Sequence, residues 1–358
     1  MHRCLQLAEL GRGNVAPNPM VGSVLVHNNK IIGEGYHQFY GEAHAEVNCI
    51  NSVSAGDQPL IPQSTLYVSL EPCAHFGKTP PCADRIIKNK IQKVIVGCRD
   101  PFAQVNGKGI KKLQAAGVEV IAGVLEDECK DLNNRFFIFH TEHRPFIILK
   151  WAETGDRKIA NDLDKAGATR LLISNEQTNR VVHKWRSEEM AILVGTNTAF
   201  LDDPALTTRL WPGKDPIRLV IDMQLRLPKS LNLFDGKTPT IVFNLHQHSL
   251  PFEKIAATDL RSIGVEYYQV TEDVNFVHQI MNALYQLNIQ SVIVEGGAQL
   301  LQSFIDDNSW DEARIISNEN LIIGNGLPAP ALKNHNLVKS QNIFTDILRV
   351  YNKTVSKN

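Results

Sequence analysis

The chain has 358 residues, 43% of them hydrophobic, which is enough apolar content for ordinary globular cores and, at about 150 residues per domain, for two of them. Lys and Arg number 37 against 38 for Asp and Glu; residues 1–142 hold 14 of each, leaving 23 and 24, so neither half carries the basic stripe by which a nucleic-acid binder neutralises phosphates. No apolar run is long enough to span a bilayer. Six cysteines, all within the first 129 residues and with no secretory segment before them, read as metal ligands and buried thiols of a cytoplasmic protein rather than as disulfides.

The first half alternates strand and helix. A helix over His2–Leu10 leads through Pro17-Asn18-Pro19 into strands at Val21–Val26 and Ile31–Gly35, with Asn28-Asn29 as the hairpin turn between them. A helix follows from Ala45 to Val53, then a strand at Thr65–Ser69, a helix opening at Cys82, a strand at Lys93–Gly97, a helix over Gly109–Ala116 and a strand at Val118–Gly123. The stretch Glu126–His140 reads as one last helix. Strands alternating with helices predict a sheet covered on both faces.

These elements carry His44-Ala45-Glu46 at the start of one helix, Pro72-Cys73 after a strand, and Cys82 at the start of another helix. One imidazole and two thiolates hold zinc while leaving a fourth tetrahedral position open, and a neighbouring carboxylate can then move protons. The ordered set is close to the zinc deaminase signature of H-x-E with P-C-x-x-C, although here the two cysteines are nine positions apart. His44, Cys73 and Cys82 are the metal ligands this predicts, with Glu46 as the proton carrier. Cys82 at a helix N-terminus should have an acidified thiol.

The boundary falls near Glu142–Pro145, giving domains at 1–142 and 145–358. The second half is again α/β. Strands are predicted at Phe146–Lys150, Ala191–Gly195, Ile217–Asp222, Thr240–Phe243, Val265–Val270 and Ser291–Glu295, and helices at Asn175–Glu189 and Asp273–Leu287. Val292-Ile293-Val294-Glu295-Gly296-Gly297 then turns into the helical stretch Ala298–Phe304. Two glycines there bring backbone N–H groups close to a phosphate at a helix N-terminus, or simply make a tight turn.

The motifs resemble the bifunctional deaminase/reductase family of riboflavin biosynthesis over nearly the whole length. The first half contributes Pro17-Asn18-Pro19-Met20-Val21-Gly22, His44-Ala45-Glu46-Val47, the run from Glu71-Pro72-Cys73 to Gly77-Lys78-Thr79-Pro80-Pro81-Cys82, Asp100-Pro101, Gly107-Lys108-Gly109 and Leu132-Asn133. The second contributes Leu149-Lys150, His183-Lys184-Trp185-Arg186, Ala191–Gly195, Asp202–Arg209 and Val294-Glu295-Gly296-Gly297. The long cysteine spacing is a feature of this family. The resemblance implies a cytidine-deaminase-like three-layer α/β domain followed by a dihydrofolate-reductase-like α/β domain. It also implies a phosphoribosylaminopyrimidine substrate, Zn²⁺ and NADPH, with no nucleic-acid or membrane partner. A nucleoside or nucleic-acid deaminase with an accessory domain is the alternative, and homo-oligomerisation is left open.

By the same resemblance Thr198, Asp202 and the segment Gly297, Ala298, Gln299, Leu300, Leu301, Gln302, Ser303 contact the cofactor, Lys150 is catalytic, and Arg186, Leu206, Arg209 and Glu295 meet the substrate. Guanidinium groups at 186 and 209 suit a phosphate, or a surface ion pair. Lys150 suits an opened sugar or a buried acid, and Asp202-Asp203-Pro204 is equally a capped turn. Three departures stand out: Asp156-Arg157 where the family has Asp-Gly, Leu172 where it often has tryptophan, and Ser23 where cysteine is common.

Overall fold

A computed structural model describes residues 1–76, 80–161, 171–250, 260 and 264–354; Gly77, Lys78 and Thr79 of the Glu71–Cys82 motif lie outside the described residues. The chain divides into two compact units, Met1–His143 and Arg144–Asn358.

In the first unit, strands β1 (Gly22–His27), β2 (Lys30–Tyr36), β3 (Thr65–Leu70), β4 (Lys93–Cys98) and β5 (Glu119–Ala122) form one sheet in the order β2-β1-β3-β4-β5. β1 runs antiparallel to β2 and β3, and β3, β4 and β5 are parallel. Asn28 and Asn29 take φ of 46° and 62°, the left-handed values that a two-residue hairpin turn requires and asparagine tolerates. Alternation along β1 separates two layers. Leu25 joins Leu66, Val68, Val94 and Val96 under Cys49 and Ile50 of α2 (Ala45–Asn51), Ala83 and Ile86 of α3 (Cys82–Lys88), and Leu113 of the helix Lys108–Ala115. Val24 packs instead with Cys4 and Leu7 of α1 (His2–Glu9). The result is the three-layer arrangement expected from the sequence. With the helix Lys108–Ala115 counted as α4, the stretch expected as one last helix is two, α5 (Glu126–Leu132) and α6 (Asn134–Thr141). They part at Asn133, whose Oδ1 accepts from Met20 N at 2.8 Å and whose Nδ2 donates to Met20 O at 2.9 Å. An asparagine paired on both sides with a distant backbone leaves the helical path.

The second unit is built on β6 (Phe146–Thr154), β8 (Ala191–Val194), β9 (Ile217–Ile221), β10 (Thr240–Asn244), β11 (Val265–Gln269), β12 (Ser291–Gly296), β13 (Glu312–Asn318), β15 (His335–Ile343) and β16 (Asp346–Lys353), while β7 (Lys158–Asn161) pairs separately with β14 (Gly326–Pro328). The nine strands lie in the order β11-β10-β9-β8-β12-β6-β13-β16-β15, parallel as far as β13 and antiparallel at the last two. Ala191 and Leu193 point into a core with α9 (Phe276–Gln286) and α10 (Ala298–Asp306); Ile192 and Val194 point the other way, toward Ala199 of α8 (Thr196–Asp202), Leu206 and Leu227. Helix α7 (Glu176–Glu188) starts where Asn175 Oδ1 accepts from Thr178 N at 2.9 Å, an N-cap.

Sequence patterning missed β7, β13, β14, β15, β16 and α8. β15 is an edge strand with every residue exposed except Ile343, so it has no apolar alternation to read. The Asp156-Arg157 turn keeps the backbone that glycine would favour, with Arg157 itself at φ 58° and its Nη2 donating to Pro330 O at 3.2 Å.

Candidate active sites

In the first unit β3 delivers Cys73, His44 is the extended residue just before α2, and Cys82 is the first residue of α3. Their ligand atoms all lie within 4.8 Å of one another. His44 Nδ1 stands 3.3 Å from Cys82 Sγ and 3.6 Å from Cys73 Sγ. A tetrahedral ion with Zn–S near 2.3 Å and Zn–N near 2.0 Å separates such atoms by about 3.6 Å, so the donor set fits zinc in both chemistry and spacing.

Electrostatics differ from the sequence expectation in one respect. The thiol held down in this pair is that of Cys73, while that of Cys82 is raised by its hydrogen bond to Cys73 and by burial; the Cys82 amide also donates to Cys73 Sγ at 3.3 Å. A hydrogen bond from the Cys82 thiol and the nearby His44 bring the Cys73 thiol down to about 4. The amide at the start of α3 adds to this in a smaller way, because it points at the other cysteine. Glu46, in the first turn of α2 and 3% exposed, is pushed up to about 6 by burial and then by Cys73.

Two residues that received no role from the sequence hold this site. His37 lies edge-on to the His44 ring with centroids 5.3 Å apart. Its Nδ1 faces Ala43 O at 3.1 Å and its Nε2 faces Asn18 Nδ2 at 3.1 Å. A carbonyl only accepts, so the network assigns the proton to Nδ1 and leaves Nε2 to accept from Asn18. Glu71, buried beside Pro72-Cys73, accepts four backbone N–H groups, from Asp100, Gly107, Gly109 and Ile110, at 2.9–3.3 Å. Those groups belong to the start of α4 and the loop before it. A Cβ at Gly109 would stand 1.8 Å from Pro72 O. Gly109→Ala is therefore expected to destabilise this unit by about 1–3 kcal/mol or more, read from the denaturation midpoint, and to speed zinc loss to a chelator.

The second unit holds a cavity of about 780 Å³ at the carboxyl ends of β6, β8, β9 and β12. Ligands of open parallel sheets settle there, beyond the strand ends. Lys150, Arg186, Thr198, Asp202, Leu206, Arg209, Glu295, Gly297, Ala298, Gln299, Leu300, Leu301 and Ser303 all line it. Gln302 does not: one helical step round α10, its side chain donates to Asp306 Oδ1 and accepts from Ala331 N. Leu206 has a φ of 53° and a side chain buried with Ala199 and Val220, so it offers the cavity its backbone. Asp203 makes a turn contact, binding the Asn232 backbone and side chain at 2.7 and 2.9 Å. Leu172 is 78% exposed at the rim.

A carboxylate organises the floor. Arg186 Nε and Nη2 donate to Glu295 at 2.9 and 2.7 Å, and Lys150 Nζ lies 3.7 Å from Glu295 Oε2. Burial works against the charged carboxyl, yet Arg186 and Lys150 hold it down at about 2. His183, one turn before Arg186 on α7, also lines the cavity. Burial and the Arg186 and Arg209 charges push it down to about 4, so it is neutral. The sequence singled out its motif without a role for it, although the three-residue spacing puts both side chains on one helix face. At the switch from β12 to α10, a Cβ built at Gly296 or Gly297 would meet Thr198 Oγ1 at 3.3 Å. Bare backbone and the uncapped N-terminus of a nine-residue helix suit an anionic dinucleotide.

Residues 145–349 match the family model of the RibD C-terminal domain, and residues 1–98 match that of the cytidine and deoxycytidylate deaminase zinc-binding region. The riboflavin biosynthesis protein RibD of Aquifex aeolicus is 40% identical over 329 residues, 91% of this chain and 88% of that protein. RibD of Bacillus amyloliquefaciens is 36% identical over 337 residues, 92% of this chain and 86% of that one. Among solved structures, the Thermotoga maritima diaminohydroxyphosphoribosylaminopyrimidine deaminase/5-amino-6-(5-phosphoribosylamino)uracil reductase superposes with a TM-score of 0.83 at 34% identity, covering 99% of this chain and 97% of its own. Acinetobacter baumannii RibD superposes with a TM-score of 0.85 at 28% identity, covering 99% and 98%.

Proposed function

The chain belongs to the RibD family of riboflavin biosynthesis, and from that premise we propose that the residues assembled above carry the family's two steps, one in each unit. The first unit hydrolyses a ring amine of 2,5-diamino-6-(5-phosphoribosylamino)pyrimidin-4(3H)-one to an oxo group, and the second reduces the ribosyl to a ribityl chain with NADPH, giving 5-amino-6-(5-phosphoribitylamino)uracil. The match of residues 145–349 to a reductase family sets aside a nucleoside or nucleic-acid deaminase with an accessory domain.

In the proposed deaminase site His44, Cys73 and Cys82 hold the metal. Zn²⁺, when bound there, supplies Lewis-acid activation of water. Glu46 takes a proton from the attacking water and returns it to the departing amine, and burial, which raises its carboxyl above the ordinary range, favours that uptake. The observation that carries this reading is the mutual distance of the three ligand atoms beside that carboxyl.

In the proposed reductase site Thr198, Asp202 and the turn Gly297–Ser303 hold the cofactor, with the Gln302 side chain turned away. NADPH supplies the hydride. Lys150 and Glu295 would engage the sugar: as the bond between C1′ and the ring oxygen breaks and C1′ takes the hydride, the ammonium can give a hydrogen bond or a proton to that oxygen, which becomes a hydroxyl. Arg209, exposed on the cavity wall, and the Leu206 backbone receive the phosphate. A cytoplasmic setting is supported by six cysteines that are all free thiols. Among the described residues no helix is long and apolar enough to cross a membrane.

The test is a mass-spectrometric product assay on zinc-loaded protein and the diaminopyrimidinone phosphate. Deaminated product is expected without NADPH, and deaminated plus reduced product with it. Cys82→Ser should abolish the first step and spare reduction of the supplied deaminated intermediate. Turnover of cytidine with none of the pyrimidinone would sink the reading.

A further inference from the structure

Of the cations that line the second unit's cavity among the described residues, Lys150, Arg186 and Arg209, two already share one carboxylate. Arg186 donates Nε and Nη2 to the two oxygens of Glu295 at 2.9 and 2.7 Å, donates Nη1 to Thr207 O at 3.2 Å, and has a side chain only 12% exposed. A guanidinium grips a phosphate with the same two-nitrogen fork that Arg186 has committed to Glu295. Arg209, by contrast, is exposed and has no ion pair among the described residues.

The strand register shows what that commitment secures. Val294 pairs with Leu149, which sets Glu295 beside Lys150 across β12 and β6, and Lys150 in turn pairs with Arg314 on β13. Two cations thus stand side by side in the sheet, a repulsive arrangement unless each has its own acid. Arg314 has Glu312 at 2.5 Å and Glu189 at 3.6 Å. Lys150 has Glu295, whose orientation the Arg186 fork determines. Substrate phosphate could recruit that fork only by releasing Glu295.

We propose that Arg186 is a positioning residue of the reductase: it locks the Glu295 carboxylate against Lys150 at the sugar end of the cavity, and the phosphate is read by Arg209. This rests on the assignment of the reductase site to this cavity. The full chain is assayed with 5-amino-6-(5-phosphoribosylamino)uracil and with the same compound lacking its phosphate.

Arg209→Gln should lower the preference for the phosphorylated substrate by about 10–100-fold, the worth of a charge-assisted hydrogen bond. Arg186→Gln should lower kcat on both substrates alike, leaving their ratio within about twofold of wild type. Arg186→Lys, which keeps a charge beside Glu295 and so protects the fold, should preserve the ratio too and recover part of kcat. Without the guanidinium the Glu295 carboxyl should climb from about 2 toward its ordinary value. An acidic limb should then appear in the kcat profile of Arg186→Gln, which a merely structural defect would not produce. Loss of the phosphate preference in Arg186→Lys or Arg186→Gln, with that preference intact in Arg209→Gln, would overturn the proposal. Reduction unchanged in Arg186→Gln, Arg209→Gln and Glu295→Gln together would overturn the cavity assignment, and the proposal with it.

Discussion

Glu46→Gln should slow deamination by about 10²–10⁴-fold, the usual worth of a positioned general acid and base, while zinc content and reduction of the supplied deaminated intermediate stay at the wild-type level. Glutamine keeps the size and the hydrogen-bonding oxygen of the side chain but cannot accept and return a proton. Glu46 is 3% exposed at the first turn of α2, and none of the three ligand atoms belongs to it, so its replacement leaves the donor set intact. The measurements are ammonia release, metal content of the purified variant and NADPH consumption with the deaminated intermediate. A wild-type rate of ammonia release would make the metal a structural cross-link; loss of zinc along with activity would make Glu46 part of its support instead of the proton carrier.

Glu295→Gln should have the largest effect on the second unit, in stability and turnover together. The carboxyl titrates near 2 in the fold against an ordinary value of 4.5, a difference worth about 3 kcal/mol. The sign follows from the direction. A depressed carboxyl contributes its stabilisation fully above its unfolded value of about 4.5 and loses it as pH falls toward about 2. At neutral pH the variant leaves the buried Arg186 without its ionised partner, which costs about 3–5 kcal/mol when buried pairs are broken. Turnover should fall by about 10²-fold, because Lys150 is no longer held in register with the sugar. Denaturant unfolding across the acid range checks the first claim: wild type should lose stability between about pH 4.5 and 2, and the variant should be flatter there. Equal acid sensitivity of the two proteins would show that the carboxyl is not held down in the fold.

The deaminase site was legible because its chemistry is local. His44 and Glu46 are two residues apart at the start of α2, Cys73 and Cys82 nine, with Cys73 in the loop after β3 and Cys82 opening α3. The reductase site was legible only through motifs, since Lys150, Arg186, Arg209 and Glu295 come from separate strands, a helix and a loop. Residue type proposes a phosphate for any exposed arginine. Whether the fork is free depends on a carboxylate more than a hundred positions away.

By itself the sequence determined two α/β units, the order of strand and helix in most of each, the His-Cys-Cys set that the fold brings together, and the Gly296-Gly297 turn at a strand end. These follow from periodicity, turn chemistry and ligand type, all properties of neighbouring residues. Tertiary structure alone decided that the Cys82 amide points at Cys73, that Asn133 divides the last helix of the first unit, and that Glu71 and His37 stand beside the His-Cys-Cys cluster. It alone showed that Gln302 faces away from the cavity and that Arg186 is bound to Glu295. Each of these depends on which buried donor meets which buried acceptor across long stretches of chain, and burial makes that pairing obligatory without leaving any periodic mark in the sequence.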